Sequence, residues 1–145
     1  MKLSTRVRYG LRAMIDLALH QKEQPVLARD IAKRTGISVK YLEQILLILR
    51  KGGLVRSVRG IRGGFLLSKR PEEISAYQVV TLFEGSISPV DCLDAENFCQ
   101  RAKVCAARCL WEKIRDQVNR LLSGTTLADL AEQQASFEKT ASYVI

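Results

Sequence analysis

The sequence is poor in the residues on which metal and acid–base chemistry usually depend. Among its 145 residues there is one histidine, His20, and the first 91 residues contain no cysteine. A lone histidine at the end of a predicted helix is expected to be a polar cap, rather than a metal ligand. The chain also lacks a glycine-rich nucleotide loop and paired catalytic carboxylates. We therefore predict that it is not an enzyme.

Long apolar runs are missing as well. No segment approaches the roughly 18 apolar residues of a membrane span, and the polar start Met1-Lys2-Leu3-Ser4-Thr5-Arg6 has no hydrophobic signal core. We expect a cytoplasmic protein that makes no use of a membrane. In that reducing compartment, four cysteines are expected to be ligands or sensors, rather than disulfides.

Acidic residues are scarce in the first half of the chain. Residues 1–75 carry 16 Lys/Arg and 6 Asp/Glu, a balance of +10, whereas residues 76–145 carry 7 and 9, a balance of −2. Such an excess of positive charge in one half of a chain is typical of proteins with a surface that binds nucleic acid. A solvated basic surface is the alternative interpretation.

Apolar spacing in the basic half predicts a helix-turn-helix. A first helix is indicated by the stripe Val7, Leu11, Met14, Ile15, Ala18 and Leu19. A second helix over about 28–34 ends at Gly36, and a third begins at Ser38. Ala32 is small where two helices would cross, and Ile37 is placed to fill the angle between them.

The third helix carries the candidate DNA-reading residues. Its polar positions include Ser38, Lys40, Glu43 and Gln44. Gln44 can read an adenine edge, and Ser38 can reach a base or a phosphate. An ordinary helical hairpin with a solvated polar face is the alternative.

A β-hairpin is predicted directly after this helix. Residues 54–58 alternate like a strand, residues 59–64 form a glycine-rich turn, and residues 65–68 return. The hairpin is therefore a candidate wing with Arg59 and Arg62 at its tip. A slim cationic tip suits a narrow minor groove; a phosphate cradle or an idle hairpin are the alternatives.

The second half is predicted to be mainly helical. Ser75 can cap a helix that ends at Gly85, a long helix covers about 106–122, and a short helix follows Thr125 or Thr126. From residue 135 onward no strong pattern is found. The long helix has an apolar stripe made of Leu110, Trp111, Ile114, Val118, Leu121 and Leu122.

That stripe must pack against its own domain or against a second copy. Helix-turn-helix proteins commonly dimerise on two half-sites, so we expect a homodimer. The predicted fold is mainly α with a small β-hairpin wing, a winged helix-turn-helix plus a long dimerisation helix. Its parts are a DNA-binding domain at 1–70, a connector helix and cysteine-rich loop at 71–105, and a dimerisation helix and C-terminal tail at 106–145.

All four cysteines fall within eighteen residues, at Cys92, Cys99, Cys105 and Cys109. Clustered thiols in a polar segment are typical of soft-metal ligands or redox groups. Gaps of six, five and three residues are mostly wider than the two to four of structural zinc sites. A thiol switch without a metal is a further alternative, since Cys105 and Cys109 are one helical turn apart.

Four runs of the sequence resemble one family, and together they cover about residues 1–134. They are Lys2-Leu3-Ser4-Thr5-x₃-Tyr9-Gly10-Leu11-Arg12-Ala13; Gly36-Ile37-Ser38-x₂-Tyr41-Leu42-Glu43-Gln44; Leu54-Val55-x₂-Val58-Arg59-Gly60-x₂-Gly63-Gly64-Phe65; and the cysteines followed by Leu110-Trp111 and Thr126-Leu127-x₂-Leu130. The family is that of the winged-helix regulators typified by the iron–sulfur cluster regulator IscR, with NsrR and CymR as relatives.

The resemblance implies a homodimeric transcription factor that binds a double-stranded DNA operator. It implies base contacts from Ser38, Lys40 and Gln44, and a minor-groove contact from Arg59. In IscR-like proteins, the glutamate that matches Glu43 tunes which operators the cluster-free form accepts. A carboxylate at that position repels phosphate and accepts hydrogen bonds only from selected bases.

The resemblance also implies an iron–sulfur cluster on Cys92, Cys99 and Cys105. IscR's fourth ligand is a histidine, and Arg108 stands at that position here, with Cys109 one residue further on. NsrR instead uses an acidic residue on the partner's first helix, which matches Arg8. The fourth ligand therefore stays open between Cys109 and an oxygen or nitrogen group elsewhere. Four thiolates suit 2Fe–2S or 4Fe–4S, and the IscR-like context favours 2Fe–2S.

The predicted function is that of an iron–sulfur-cluster-sensing transcription regulator, acting on genes of cluster biogenesis. The alternative is a cluster-free thiol-redox or cysteine-metabolism repressor that acts through a protein partner. A C-terminal Ile145 after an aromatic residue resembles the tails by which partners dock into cysteine synthase. A frayed or packed terminus is the simpler interpretation of that tail.

Overall fold

The computed structural model describes residues 1–144, and in this part of the chain it contains six α-helices and one two-stranded hairpin. The elements are α1 (Thr5–His20), α2 (Ala28–Thr35), α3 (Val39–Lys51), β1 (Val55–Val58), β2 (Gly64–Leu67), α4 (Ala76–Glu84), α5 (Ala106–Gly124) and α6 (Leu127–Tyr143). Among these residues, no helix is both long enough and apolar enough to cross a bilayer.

Helices α2 and α3 form the predicted helix-turn-helix. α2 ends at Gly36, whose φ of 71° lies in the left-handed region that glycine adopts without strain. Ile37 is buried in the angle between the two helices, and Ala32 is buried where they approach. The apolar side of α3 packs against α1, which forms the centre of the core.

Strands β1 and β2 pair antiparallel and form the predicted wing. The register joins Val55 to Leu67 and Val58 to Gly64. Val26 adds an isolated bridge to β2, with Phe65 N–H donating to the Val26 carbonyl at 2.8 Å and Val26 N–H donating back at 2.9 Å. The base of the wing is thereby fixed to the segment that leads into α2.

The second half of the chain returns to the winged domain. Ala76 N–H donates to the Thr125 carbonyl, and Leu127 N–H donates to the Ile74 carbonyl, both at 2.8 Å. Ile74 and Leu127 are fully buried. The starts of α4 and α6 are therefore joined by backbone bonds, and α6 continues along α1.

Helix α6 is much longer than predicted. We expected a short helix after Thr126 and no regular structure from residue 135, but the helix extends to Tyr143. Only Leu127 and Ala131 are buried within it. A helix that is exposed on most sides has no apolar period, and for that reason the sequence pattern did not reveal it.

Candidate nucleic-acid interface and cysteine site

The four predicted DNA-reading residues of α3 lie together on its solvent face. Ser38, Lys40, Glu43 and Gln44 are all exposed, whereas the opposite face is buried. The Ser38 hydroxyl also accepts a hydrogen bond from Tyr41 N–H at 3.3 Å, so it is the N-cap of the helix. The structure thus presents one polar helical face with its capping residue at the edge.

The wing places its two arginines in solvent. Arg59 and Arg62 are exposed in the turn between β1 and β2. A Cβ on Gly63 would collide with the backbone of Val58 and Gly60, so the turn needs glycine at this position. Arg50, at the end of α3, donates to the Ser57 hydroxyl at 3.3 Å, and this bond links α3 to the wing.

An ion pair with a buried carboxylate, which the sequence pattern does not indicate, joins α1 to α2. Asp16 is only 6% exposed, and its two carboxylate oxygens accept from Arg34 Nε and Nη2, each at 2.9 Å. This hydrogen bond raises the pKa of Arg34 above its ordinary value, so the guanidinium stays charged. His20 Nδ1 lies 2.9 Å from the Asp16 carbonyl oxygen, which agrees with its predicted place as a polar group at a helix end.

The cysteines lie in an exposed loop and in the first turn of α5. Cys92 belongs to the 3₁₀ turn Asp91–Leu93, and Cys105 directly precedes α5. These two are half-buried, Cys99 and Cys109 are exposed, and all four are free thiols. Cys105 is the N-cap of α5, because its Sγ accepts from Arg108 N–H at 3.4 Å.

Arg108 connects the two half-buried cysteine segments. Its Nη1 donates to the Cys92 carbonyl at 2.7 Å, and its Nε donates to Glu112 Oε1 at 3.1 Å. The side chain is 23% exposed. Arg108 stands where the resemblance places a ligand, but no local pattern in the sequence indicates this bridge to Cys92.

A second set of hydrogen bonds holds the loop around Cys92. Asp94 Oδ1 accepts from the hydroxyls of Ser86 and Ser88, at 2.5 and 2.6 Å. The hydrogen bond from Ser86, followed by that from Ser88, lowers the pKa of the Asp94 carboxyl. The loop from Ser86 to Asp94, which contains Cys92, is therefore closed by hydrogen bonds to an ionised carboxylate.

The four thiols fit an iron–sulfur cluster in chemistry and in number, because such clusters are held by cysteine thiolates. Within residues 1–144, however, no three side chains of His, Cys, Asp or Glu converge on one point at metal-binding distance. The sulfurs are therefore close in sequence but not assembled into a site. Most residues between Cys92 and Cys105 are exposed.

The predicted contact of Ile145 with cysteine synthase falls on a residue outside the described part of the chain. It stays a prediction, and the comparisons with known proteins give it no support.

Those comparisons agree on one family. Residues 3–133 match the family Rrf2, described as "Iron-dependent Transcriptional regulator". The chain is 43% identical over 141 residues to the protein rrf2 of Nitratidesulfovibrio vulgaris, covering 97% of this chain and 94% of that one. It is 42% identical to the HTH-type transcriptional regulator IscR of Serratia proteamaculans, covering 92% and 81%.

A solved structure confirms the predicted fold class. The structure of CymR, "the Global Cysteine Regulator of B. subtilis", superposes with a TM-score of 0.78 at 42% identity, and covers 92% of this chain and 98% of that chain. The relatives are transcription regulators and not enzymes, as the sequence predicted. The chain belongs to the Rrf2 family of winged-helix, DNA-binding transcription regulators.

Proposed function

We propose that this protein is a homodimeric, DNA-binding transcription regulator whose affinity for its operators depends on an iron–sulfur cluster. The observation that carries the proposal is the placement of the cysteines. All four lie in the short exposed segment from Cys92 to Cys109, at the N-terminus of α5, and the DNA-binding half has none. The iron dependence in the family's description supports the same assignment.

The DNA-binding half has the features of a groove-reading module. The exposed face of α3 carries Ser38, Lys40, Glu43 and Gln44, and the wing presents Arg59 and Arg62. We assign base contacts to Ser38, Lys40 and Gln44, operator discrimination to Glu43, and minor-groove contacts to the two arginines. Because Arg50 bonds to Ser57, helix and wing approach DNA as one unit.

Cys92, Cys99, Cys105 and Cys109 are the residues that would hold the cluster, and we favour 2Fe–2S. When bound, such a cluster supplies reversible one-electron chemistry and sensitivity to oxidants. Ligation by four residues would also restrict the loop, whose turn at Asp91–Leu93 lies against α5. Because α5 is the proposed dimer helix, a change in loop order alters the spacing between the two recognition helices.

The cofactor is tested by purification without oxygen. We expect a coloured protein with equal amounts of iron and acid-labile sulfide, and the absorption bands separate 2Fe–2S from 4Fe–4S. A protein that stays colourless after reconstitution would refute the cluster, while leaving DNA binding untouched. Substitution of each cysteine in turn by serine then identifies the four ligands, since loss of a ligand should reduce cluster content.

The coupling to DNA is tested at one fixed salt concentration, since phosphate contacts make affinity steeply dependent on salt. DNA fragments selected from a random pool by the wild-type protein are titrated with wild type, Cys92→Ala and Val104→Ala. Val104 is an exposed residue of the same loop and serves as the control. We expect Cys92→Ala to change the affinity for at least one fragment about 5–150-fold. Equal affinities on every fragment would contradict a cluster-dependent regulator.

A second candidate function is a thiol-redox regulator without a cluster. It is favoured by the N-cap position of Cys105, whose Sγ accepts a backbone N–H at the start of α5. Reactive cysteines commonly lie at helix N-termini. The 42% identity to CymR over 92% of the chain supports the same candidate. Under this function, oxidation of the colourless protein should change DNA affinity, and Cys105→Ser should abolish that change.

A further inference from the structure

Arg108 makes contacts that an ordinary surface arginine does not make. Its guanidinium bonds in two directions, to Glu112 on its own helix and to the Cys92 carbonyl sixteen residues earlier in the chain. The backbone N–H of Arg108 donates to the Cys105 sulfur. One residue therefore contacts both half-buried cysteine segments and the first turns of α5.

We propose that Arg108 is a positioning residue of the cysteine site. It fastens the Cys92 turn to the start of α5 before any cofactor binds, and it places a fixed positive charge at the Cys92 backbone, within the cysteine-bearing segment. The assignment of that charge to a cluster rests on the proposed function, whereas the fastening does not.

The arginine fork is what this bridge requires. A planar guanidinium presents several N–H donors in fixed directions, so it holds two acceptors on different elements at once. A lysine keeps the charge, but as a flexible point donor it does not reproduce that geometry. The bond to Glu112 alone would be a common i,i+4 pair of small value. The bond to the Cys92 carbonyl closes a loop of sixteen residues, and this bond distinguishes Arg108 from an arginine that makes only an i,i+4 pair.

The charge has a separate consequence. A cluster held by four thiolates is anionic and becomes more so when it gains an electron. A nearby cation stabilises the reduced form more than the oxidised form, because the attraction grows with the added charge. Arg108 is therefore expected to raise the reduction potential, and Arg108→Lys separates this effect from the fastening.

The fastening is tested in the reduced, cluster-free protein by amide hydrogen exchange. We expect exchange in residues 90–95 to become about tenfold faster in Arg108→Gln, the usual scale for losing a hydrogen bond from a charged group. Arg108→Lys should give most of the same increase. The matched control is Arg120→Gln, which removes the same charge from an exposed position of α5. Peptides from α2 and α3 should stay unchanged and so report that the domain is folded.

The charge is tested in the reconstituted protein by a redox titration. Arg108→Gln should lower the midpoint potential, whereas Arg108→Lys and Arg120→Gln should keep it near the wild-type value. Unchanged exchange in Arg108→Gln would overturn the fastening, and a potential equal in all four proteins would overturn the role of the charge. If wild type binds no cluster, the proposed function fails, and the exchange experiment still decides whether Arg108 holds the loop.

Discussion

Ser38 caps α3 and is also a proposed DNA contact, and substitutions can separate these two roles. Its hydroxyl caps α3 by accepting from Tyr41 N–H, and its exposed side chain faces the proposed DNA groove. Ser38→Ala should cost about 1 kcal/mol of stability through loss of the cap. Ser38→Asp keeps a capping oxygen but brings a negative charge toward phosphate, so it should keep stability and weaken DNA binding.

Urea unfolding and fluorescence anisotropy on a selected DNA fragment measure the two effects. Ser38→Asn is the matched control, because asparagine caps as well as aspartate and carries no charge. If Ser38→Asp binds DNA as tightly as Ser38→Asn, then this residue does not approach the DNA backbone.

The Asp16–Arg34 pair is the residue-scale feature with the largest expected effect on stability. Asp16 is buried, whereas Arg34 remains about one-third exposed. Asp16→Asn leaves the charge of Arg34 without its partner, which lowers stability. Because Arg34 is partly exposed, water can solvate this charge, so the loss is smaller than for a fully buried pair. We expect Asp16→Asn to lower the free energy of unfolding by about 1–3 kcal/mol. Asp116→Asn, in an exposed pair with Arg115, should change it by less than about 0.5 kcal/mol.

A double variant of Asp16→Asn with Arg34→Gln completes the cycle. Since the two side chains bond directly, the double variant should lose less stability than the sum of the single variants. Strict additivity would mean that the pair contributes nothing through its contact. The sequence did not reveal this pair, because Arg34 lies 18 residues away on another helix and no local pattern marks an ion pair across a turn.

At the scale of the elements, those with a clear apolar period were predicted and those without one were not. The stripes of α1 and α3 and the alternation of β1 placed these elements within a few residues of their observed bounds. Helix α6 packs only at its beginning, so its second half shows no such period. The sequence also did not reveal the bridge from Arg108 to the cysteine loop, because the two residues that it joins are far apart in the chain.

The capping box that begins α6 should make stability depend on pH. Asp129 Oδ2 accepts from Thr126 N–H at 2.8 Å, and the Thr126 hydroxyl accepts from Asp129 N–H at 3.1 Å. The hydrogen bond from the Thr126 backbone lowers the pKa of Asp129 below its ordinary value of 3.8. The stabilisation is therefore complete above pH 3.8 and is lost as pH falls through the lowered pKa.

We expect Asp129→Asn to be less stable than wild type at neutral pH, with the difference shrinking below the ordinary aspartate pKa. Thermal unfolding between neutral pH and about pH 3 measures this, within the range where carboxylates titrate. Glu138→Gln, an exposed change near the other end of α6, is the control. A difference between Asp129→Asn and wild type that stays constant with pH would show that the carboxylate charge is not what stabilises the box.

At the scale of the whole molecule, the winged domain has a complete core and α5 does not. None of the residues of α5 is buried in the single chain. Leu121 is 70% exposed and Leu110 52%, and Phe137 of α6 is 59% exposed. Apolar side chains in such numbers on one pair of helices indicate a surface that another copy covers. Two winged domains joined through α5 would present two recognition helices to one operator.

Leu121→Glu should therefore convert a dimer into a monomer while leaving the winged domain folded. Because the side chain is exposed in one chain, the charge costs little there, but in a dimer interface it would be buried without a partner. Sedimentation equilibrium measures the dimer, and circular dichroism reports that the helices are retained. The control is Ser123→Glu, which adds the same charge about 200° around the helix from Leu121. With one half-site lost, DNA affinity of Leu121→Glu should fall steeply at constant salt, whereas Ser123→Glu should bind like wild type. A Leu121→Glu protein that stays dimeric would place the interface elsewhere and would remove α5 from the proposed path between the cysteines and DNA.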